Sequence, residues 1–130
     1  MIASDVLNKK DEELRRLGLS YAKVSFVRDL ATKFHDRTLT TKKLLAWSDE
    51  EIRKGLLTVK GIGPWSVDMF LIFALNRLDV LPVGDLGIQK GMQQFFKLEK
   101  KPTPKLMEEL AGPWRPYRSI ASWYMWRLLE

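Results

Sequence analysis

Two glycines near the middle of the chain constrain its fold more than any other feature. They lie in Val59-Lys60-Gly61-Ile62-Gly63-Pro64-Trp65, between two segments with helical spacing of apolar residues. Ser48 and Glu51 predict a capping box where the first helix starts. The glycine pair interrupts the helical period, and Pro64 suits the first position of the next helix. The sequence therefore predicts two helices joined by a tight bend over about residues 49–77.

The bend itself is predicted to be a binding surface for a nucleic-acid backbone. Glycine has no Cβ, so a phosphate can approach the main chain closely at Lys60, Gly61, Ile62 and Gly63. Amides at the head of the second helix point outward, and the helix dipole favours an anion there. The pattern Leu-x-x-Val-x-Gly-Ile-Gly is typical of a helix-hairpin-helix motif. An ordinary αα-hairpin with a glycine turn is the alternative interpretation.

Composition limits the class of protein. With 130 residues, of which 45% are hydrophobic, the chain is expected to form a single helical domain over 1–130. The net charge of +6 and pI near 9.7 favour a polyanionic partner. The absence of cysteine excludes disulfides and makes an intracellular location the expectation, nucleus in a eukaryote or cytoplasm in a bacterium. No apolar run is long enough to predict a membrane span, and no secretory signal pattern is present.

The periodicity along the whole chain is helical. Apolar residues recur at helical spacing in roughly seven or eight segments, and no convincing alternating strand is present. The helix beginning near Asp85 carries Gly87 and Gly91, four residues apart, which indicates close packing against either a neighbouring helix or DNA. The predicted fold class is all-α.

A second motif follows the hairpin and identifies a family. The sequence Pro82-Val83-Gly84-Asp85, paired with the upstream hairpin, resembles the Pro-x-Gly-Asp element of HhH-GPD DNA glycosylases. The resemblance is greatest to the 3-methyladenine DNA glycosylase II group and extends from about Leu14 to Trp126. It implies a helical glycosylase fold, with the aspartate loop and its helix at 81–96. It also implies a double-stranded DNA partner carrying alkylated bases, and a role in base excision repair.

Asp85 is the predicted catalytic residue. Hydrolysis of a base from deoxyribose passes through a cationic, oxocarbenium-like sugar, as in other glycoside hydrolyses. A fixed carboxylate stabilises that charge and can orient or deprotonate the attacking water. Alkylated purines already carry positive charge, so they need little help from a general acid. From composition alone, an N-cap of the following helix is the simpler explanation of Asp85, and both roles can hold together.

Trp65 is the predicted substrate-binding residue. In bifunctional members of the superfamily, this position carries a lysine that attacks C1′ and leads to strand cleavage. Tryptophan cannot act as an amine nucleophile, so the resemblance implies a monofunctional enzyme that leaves an abasic site. Its ring is expected to stack on an extruded, electron-poor base. A core tryptophan is the alternative.

Further contacts follow from the resemblance alone. Lys23, in a Gly-Leu-Ser-x-x-Lys element, is predicted to contact phosphate, with a solvated surface lysine as the alternative. Arg115 and Arg118 lie in a segment similar to the family's C-terminal Trp- and Arg-rich element, and are predicted to lie near DNA or Asp85. No cofactor is expected to be required, although the family often binds Na⁺ or K⁺ at the hairpin. The implied ligands are the carbonyls of Val59, Gly61 and Ile62.

Two features limit what the resemblance implies. The lack of cysteine excludes the Cys-ligated iron–sulfur cluster of some relatives. Residues before Leu14 match nothing in the family's upstream helices, so we expect the N-terminal part of the catalytic domain to be missing. Self-association or a partner chain is expected to cover the exposed apolar surface left there. The alternatives to an enzyme are a non-catalytic helix-hairpin-helix DNA-binding module and a helical protein-interaction domain.

Overall fold

The computed structural model describes residues 2–130, which form two compact units that meet in sequence between Gly63 and Pro64. Within that range all regular structure is helical, with nine α-helices, one π turn and one 3₁₀ turn. The predicted all-α fold is confirmed. The described residues thus hold slightly more helices than the roughly seven or eight that the sequence predicts, and several of them are short, such as Thr41–Ala46. The expectation of one domain over 1–130 stays a prediction.

The first unit contains five helices built largely around the third. They are α1 (Ala3–Leu7), α2 (Asp11–Arg16), α3 (Tyr21–His35), α4 (Thr41–Ala46) and α5 (Asp49–Leu57). Both α1 and α2 pack against α3. Burying the apolar faces of these short helices supplies most of their stability, because isolated helices of this length are marginal in water. The buried side chains are Leu14, Val24, Ala31, Leu39, Leu44, Ile52, Leu56 and Val59.

Local capping signals set the helix ends in this unit. Ser20 accepts the Lys23 amide at 3.2 Å where α3 begins. At the start of α5, Ser48 accepts the Glu51 amide at 3.2 Å, and the Glu51 carboxylate accepts the Ser48 amide at 2.8 Å. This reciprocal pair confirms the predicted capping box, which satisfies two amides that a helix start otherwise leaves without partners.

The second unit contains four helices and two tighter turns. They are α6 (Pro64–Met69), the π turn Phe70–Ala74, α7 (Leu86–Phe95), α8 (Pro104–Ala111), the 3₁₀ turn Gly112–Trp114 and α9 (Arg118–Arg127). Pro64 is the first residue of α6, as predicted. That helix was expected to reach Asn76 or Arg77, but it widens into the π turn after Met69. The backbone of Asn76 then has a φ of +53°, a conformation that cannot continue a right-handed helix.

Close packing of α7 against α9 forms the core of the second unit. At Gly91, a Cβ atom would lie 2.4 Å from the Met125 carbonyl oxygen, so only glycine permits this approach. The close packing predicted for this glycine is therefore against a helix. The core cluster consists of Leu81, Ile88, Met92, Met107, Ala111 and Met125.

Among residues 2–130, no helix is long and apolar enough to cross a lipid bilayer.

Candidate active site

Asp85 is the N-cap of α7. Its Oδ1 atom accepts the Ile88 amide at 2.9 Å, and its own amide donates to the Pro82 carbonyl at 3.0 Å. The N-cap role predicted for Asp85 is thus confirmed. A cap fixes the carboxylate at the head of the helix, where the helix dipole favours negative charge.

Two tryptophans bind the same carboxylate, one on each oxygen. The Trp65 indole donates from Nε1 to Oδ2 at 2.7 Å, and the Trp126 indole donates from Nε1 to Oδ1 at 2.8 Å. Gly87 makes room for this arrangement, since a Cβ there would lie 2.9 Å from Cδ1 of Trp126 and 3.0 Å from Oδ1 of Asp85. The carboxylate is therefore held in one orientation by donors from α6, α7 and α9.

These donors keep the carboxylate ionised. Partial burial raises the pKa of the Asp85 carboxyl, but hydrogen bonds from Trp65, Trp126 and the amides of Ile88 and Gly87 outweigh it. The net result is a pKa below the ordinary aspartate value, because hydrogen bonds to the charged form favour that form. Asp85 is therefore a carboxylate at neutral pH and cannot serve there as a proton donor.

Exposed aromatic rings surround the carboxylate. Trp65 is 51% exposed although its indole nitrogen is bound, so part of its ring remains open to solvent. Phe73, on the π turn, stacks on Trp126 with ring centroids 5.8 Å apart and an interplanar angle of 22°. Its own ring is 62% exposed. Flat aromatic surfaces beside a fixed negative charge suit a flat, electron-poor or cationic ring.

The two hairpin glycines, in the first unit, differ in what they do. Gly61 has a φ of +80°, and an added Cβ would overlap the Phe26 ring at 2.3 Å. The neighbouring Lys60 amide donates to Oδ2 of Asp29 at 2.8 Å, which ties the bend to α3. By contrast, a Cβ at Gly63 would meet no atom within 4 Å. Gly61 is therefore required by the fold, whereas Gly63 leaves the main chain open to a ligand.

The carbonyl groups predicted to bind a monovalent cation differ in accessibility. The Val59 carbonyl accepts the Ile62 amide at 3.2 Å, and Val59 is only 2% exposed. Gly61 is exposed and Ile62 is half-buried. Within residues 2–130, no cluster of three acidic or histidine side chains is arranged to bind a metal.

Arg118 is held by two acids within the second unit. Its guanidinium donates to both carboxylate oxygens of Asp79, at 2.7 and 3.2 Å, and to Glu108 at 3.0 Å. The Arg118 side chain is only 11% exposed, and the hydrogen bonds that it donates to Asp79 raise the pKa of its guanidinium. Acids already accept hydrogen bonds on both edges of the Arg118 guanidinium, and its contact with DNA stays a prediction.

The other predicted basic contacts are on the surface. The Arg115 side chain is 58% exposed and lies 4.0 Å from Glu108, a distance at which the pair contributes little. Lys23 is exposed on α3, where its amide serves the Ser20 cap. Both side chains remain available to a phosphate.

Sequence reasoning missed two residues of these sites. The sequence alone assigns no site role to Trp126 or to Asp29. The indirect signal for Trp126 was Gly87, since a glycine in the first turn of a helix leaves space for a large neighbour. The sequence does not say which neighbour fills that space.

The all-helical fold, the two-glycine bend and the capping aspartate define a helix-hairpin-helix protein. The model of the HhH-GPD superfamily of base excision DNA repair proteins matches residues 2–116. The chain therefore belongs to the HhH-GPD superfamily.

Relatives in bacteria and yeast agree with this assignment. The chain is 36% identical to YfjP of Bacillus subtilis over 119 residues, which are 92% of this chain and 42% of YfjP. It is also 36% identical to DNA-3-methyladenine glycosylase 1 of Schizosaccharomyces pombe over 117 residues, 89% of this chain and 51% of that protein. The chain thus spans about half the length of these relatives.

A solved structure shows the same fold. The chain is similar to a 3-methyladenine DNA glycosylase of Schizosaccharomyces pombe, Mag1, which was solved in complex with abasic DNA. The TM-score is 0.86 at 32% identity, covering 97% of this chain and 62% of Mag1.

Proposed function

We propose that this chain carries the catalytic carboxylate and the hairpin of a monofunctional DNA glycosylase for alkylated purines of the 3-methyladenine type. The observation that carries the proposal is the ionised Asp85 carboxylate, fixed by the indoles of Trp65 and Trp126. The names of the relatives and the Mag1 structure with abasic DNA support the same reaction and a duplex DNA partner. Base excision repair is the process that this reaction serves.

Asp85 would act on the sugar rather than on the base. As the C1′–N bond breaks, positive charge develops on the deoxyribose, and a preorganised carboxylate stabilises it without further rearrangement. The same carboxylate can orient or deprotonate the water that attacks C1′. Since the pKa of Asp85 is below its ordinary value, it cannot protonate the leaving base. The site therefore suits a base that already carries positive charge.

Trp65 would bind the extruded base. Its exposed ring offers a π face to a cationic purine, while its indole N–H holds Asp85. Tryptophan supplies no amine to form a covalent adduct at C1′, so the expected product is an abasic site in an unbroken strand. The damaged base pairs and stacks weakly, which makes its extrusion less costly and adds selectivity.

The hairpin would bind the backbone of the DNA strand. The main chain at Gly63, where an added Cβ would meet no atom within 4 Å, could approach a phosphate closely together with Lys60, Gly61 and Ile62. Lys23 and Arg115 would add electrostatic contacts with phosphates.

The hairpin carbonyls would suit a monovalent cation. Neutral carbonyls suit a monovalent cation better than a divalent one, and Gly61 and Ile62 are the more accessible of the three predicted ligands. These carbonyls would hold a Na⁺ or K⁺, whose positive charge would attract a phosphate, and no other cofactor is proposed.

Self-association is a separate part of the proposal. The second unit exposes large apolar side chains, among them Phe73, Leu78 and Trp123 at 62%, 53% and 52%. Exposed apolar residues that lie together favour association. Sedimentation velocity of the wild type and of Trp123→Lys would test this, with a concentration-dependent dimer expected only for the wild type.

The test of function is base release from duplex DNA that contains an alkylated purine. The proposal expects free base, together with an alkali-labile site and no strand break before alkali treatment. Salt-sensitive DNA binding without base release would instead support a non-catalytic DNA-binding module. A failure to bind DNA, with stable oligomers, would support a protein-interaction domain.

A further inference from the structure

The first residues of α9 hold the segment that leads to Asp85. We name residues 75–85, between the π turn and α7, the Asp85 connector. Besides its bidentate pair with the Asp79 side chain, Arg118 donates from Nη2 to the Asp79 carbonyl at 3.3 Å. Ser119 donates its hydroxyl to the Arg77 carbonyl at 2.7 Å and accepts the Val80 amide at 2.9 Å. Two adjacent residues thus bind the main chain and one side chain of the connector.

The same helix also holds the far end of the connector. Trp126 lies two helical turns beyond Arg118 on α9, about 12 Å along its axis at 1.5 Å per residue. Its indole binds Oδ1 of Asp85. A single rigid helix therefore fixes both the start of the connector and the carboxylate at its end.

We propose that Arg118 and Ser119 are positioning residues, which fix the Asp85 connector on α9 so that the Asp85 carboxylate meets the Trp126 indole. The inference rests on the catalytic role proposed above for Asp85. A displaced connector would carry the carboxylate away from its donors and from C1′. A misplacement of about 1 Å in an active site can reduce the rate by about a hundredfold.

The chemistry of the contacts explains why these residue types are needed. Arginine offers a planar fork that meets both oxygens of one carboxylate, and lysine cannot reproduce that geometry. Arg118 also spans Asp79 and Glu108, so it joins the connector to α8 as well as α9. Ser119 is only 7% exposed, and its hydroxyl both donates and accepts. Alanine there would leave a carbonyl and an amide of the connector without this partner.

The test reads the Asp85–indole contacts directly by ¹H–¹⁵N spectroscopy of the indole N–H groups at pH 7. Trp65→Phe and Trp126→Phe each remove one resonance and so assign the two that bind Asp85. Truncation of Arg118 to alanine would leave Asp79 without its ion pair, so the test uses the milder variants Arg118→Lys and Ser119→Ala. Glu109→Gln, an exposed site on α8, is the matched control.

The expected result is a local change at the carboxylate in a protein that stays folded. In Arg118→Lys and Ser119→Ala, the Trp126 indole resonance should lose its carboxylate-bound shift and exchange faster with water. Single-turnover base release should fall by about 10- to 100-fold, with DNA affinity within about twofold of the wild type. Glu109→Gln should match the wild type in all three measurements.

A different pattern would overturn the inference. If both variants keep the indole resonances of Trp65 and Trp126 unchanged and only lower the melting temperature, Arg118 and Ser119 merely stabilise the fold. Because the spectra need no DNA, they test positioning even if the wild type releases no base. Absence of base release by the wild type would count against the proposed function alone.

Discussion

At the residue scale, Asp85 combines a structural and a chemical role in one carboxylate. The Ile88 amide and the two indoles satisfy its oxygens, and together they favour the charged form. The local sequence predicts the cap, because Asp before an apolar helical segment is a common N-cap. It does not predict the indoles, since Trp65 and Trp126 come from segments far from Asp85 in the chain.

The depressed pKa of Asp85 makes a prediction about stability. A group whose pKa is lower in the folded state stabilises the fold above its unfolded pKa, and that stabilisation is lost as pH falls through its folded pKa. We expect Asp85→Asn to lower the free energy of unfolding by about 1 kcal/mol at pH 7, since the charge-assisted hydrogen bonds are weakened. The difference should shrink as pH falls below the ordinary aspartate range.

Urea denaturation of both proteins across this pH range would measure the effect. Asp36→Asn, in the first unit, is a positive control, because hydrogen bonds from the side chain and the amide of Thr38 likewise lower the pKa of the Asp36 carboxyl. A stability difference between wild type and Asp85→Asn that stays constant with pH would contradict an ionised, hydrogen-bonded Asp85.

At the element scale, the hairpin predicts opposite outcomes for its two glycines. Gly61→Ala forces a side chain into a left-handed backbone and onto the Phe26 ring, so it should destabilise the protein by about 1–3 kcal/mol. Gly63→Ala adds a methyl group into open space, so stability should be unchanged. DNA affinity should nevertheless fall by about tenfold, because the methyl group would keep a phosphate from approaching the main chain. That loss corresponds to about one hydrogen bond to a charged phosphate.

Thermal melts and fluorescence anisotropy with duplex DNA would measure these two effects separately. Equal DNA affinity in Gly63→Ala and the wild type would show that the bend does not contact the backbone of DNA. The different roles of Gly61 and Gly63 could not be predicted from the sequence, because the Phe26 contact and the positive φ of Gly61 arise only in the folded unit.

The contact between α7 and α9 predicts a large effect of one methyl group. In Gly91→Ala the new Cβ would lie 2.4 Å from a main-chain carbonyl, which cannot move without shifting α9. We expect a loss of about 1–3 kcal/mol in the free energy of unfolding. Gly84→Ala, where a Cβ meets nothing within 4 Å, should leave stability close to the wild type. Similar stabilities for the two variants would contradict this packing.

At the scale of the whole molecule, the net charge of +6 predicts salt-sensitive binding to duplex DNA. Each lysine that neutralises a phosphate adds about one to the slope of log affinity against log salt concentration. We therefore expect Lys60→Ala to reduce that slope by about one. Lys105→Ala, at an exposed position of α8, should leave the slope unchanged. An equal effect of both variants would argue against specific docking at the hairpin.

Much of the fold follows from local signals in the sequence. Three helices begin as predicted: α5 at the capping box of Ser48 and Glu51, α6 at Pro64 and α7 at Asp85. Caps and proline act within a few residues, so the local sequence is enough to predict them. The π turn at Phe70–Ala74 and the pairing of Arg118 with Asp79 did not follow, since both depend on contacts between distant segments. The sequence around Arg118 also does not show whether this arginine lies free on the surface or is bound to two acids, as it is in the structure.

Single-turnover base release from alkylated duplex DNA by Asp85→Asn would show whether the Asp85 carboxylate is catalytic or only a helix cap. Asparagine retains the cap and the side-chain shape but removes the negative charge. We expect the wild type to release the base, and Asp85→Asn to bind the same DNA but to release the base at least about a hundredfold more slowly. Base release at the wild-type rate by a folded Asp85→Asn protein would contradict a catalytic role of the carboxylate.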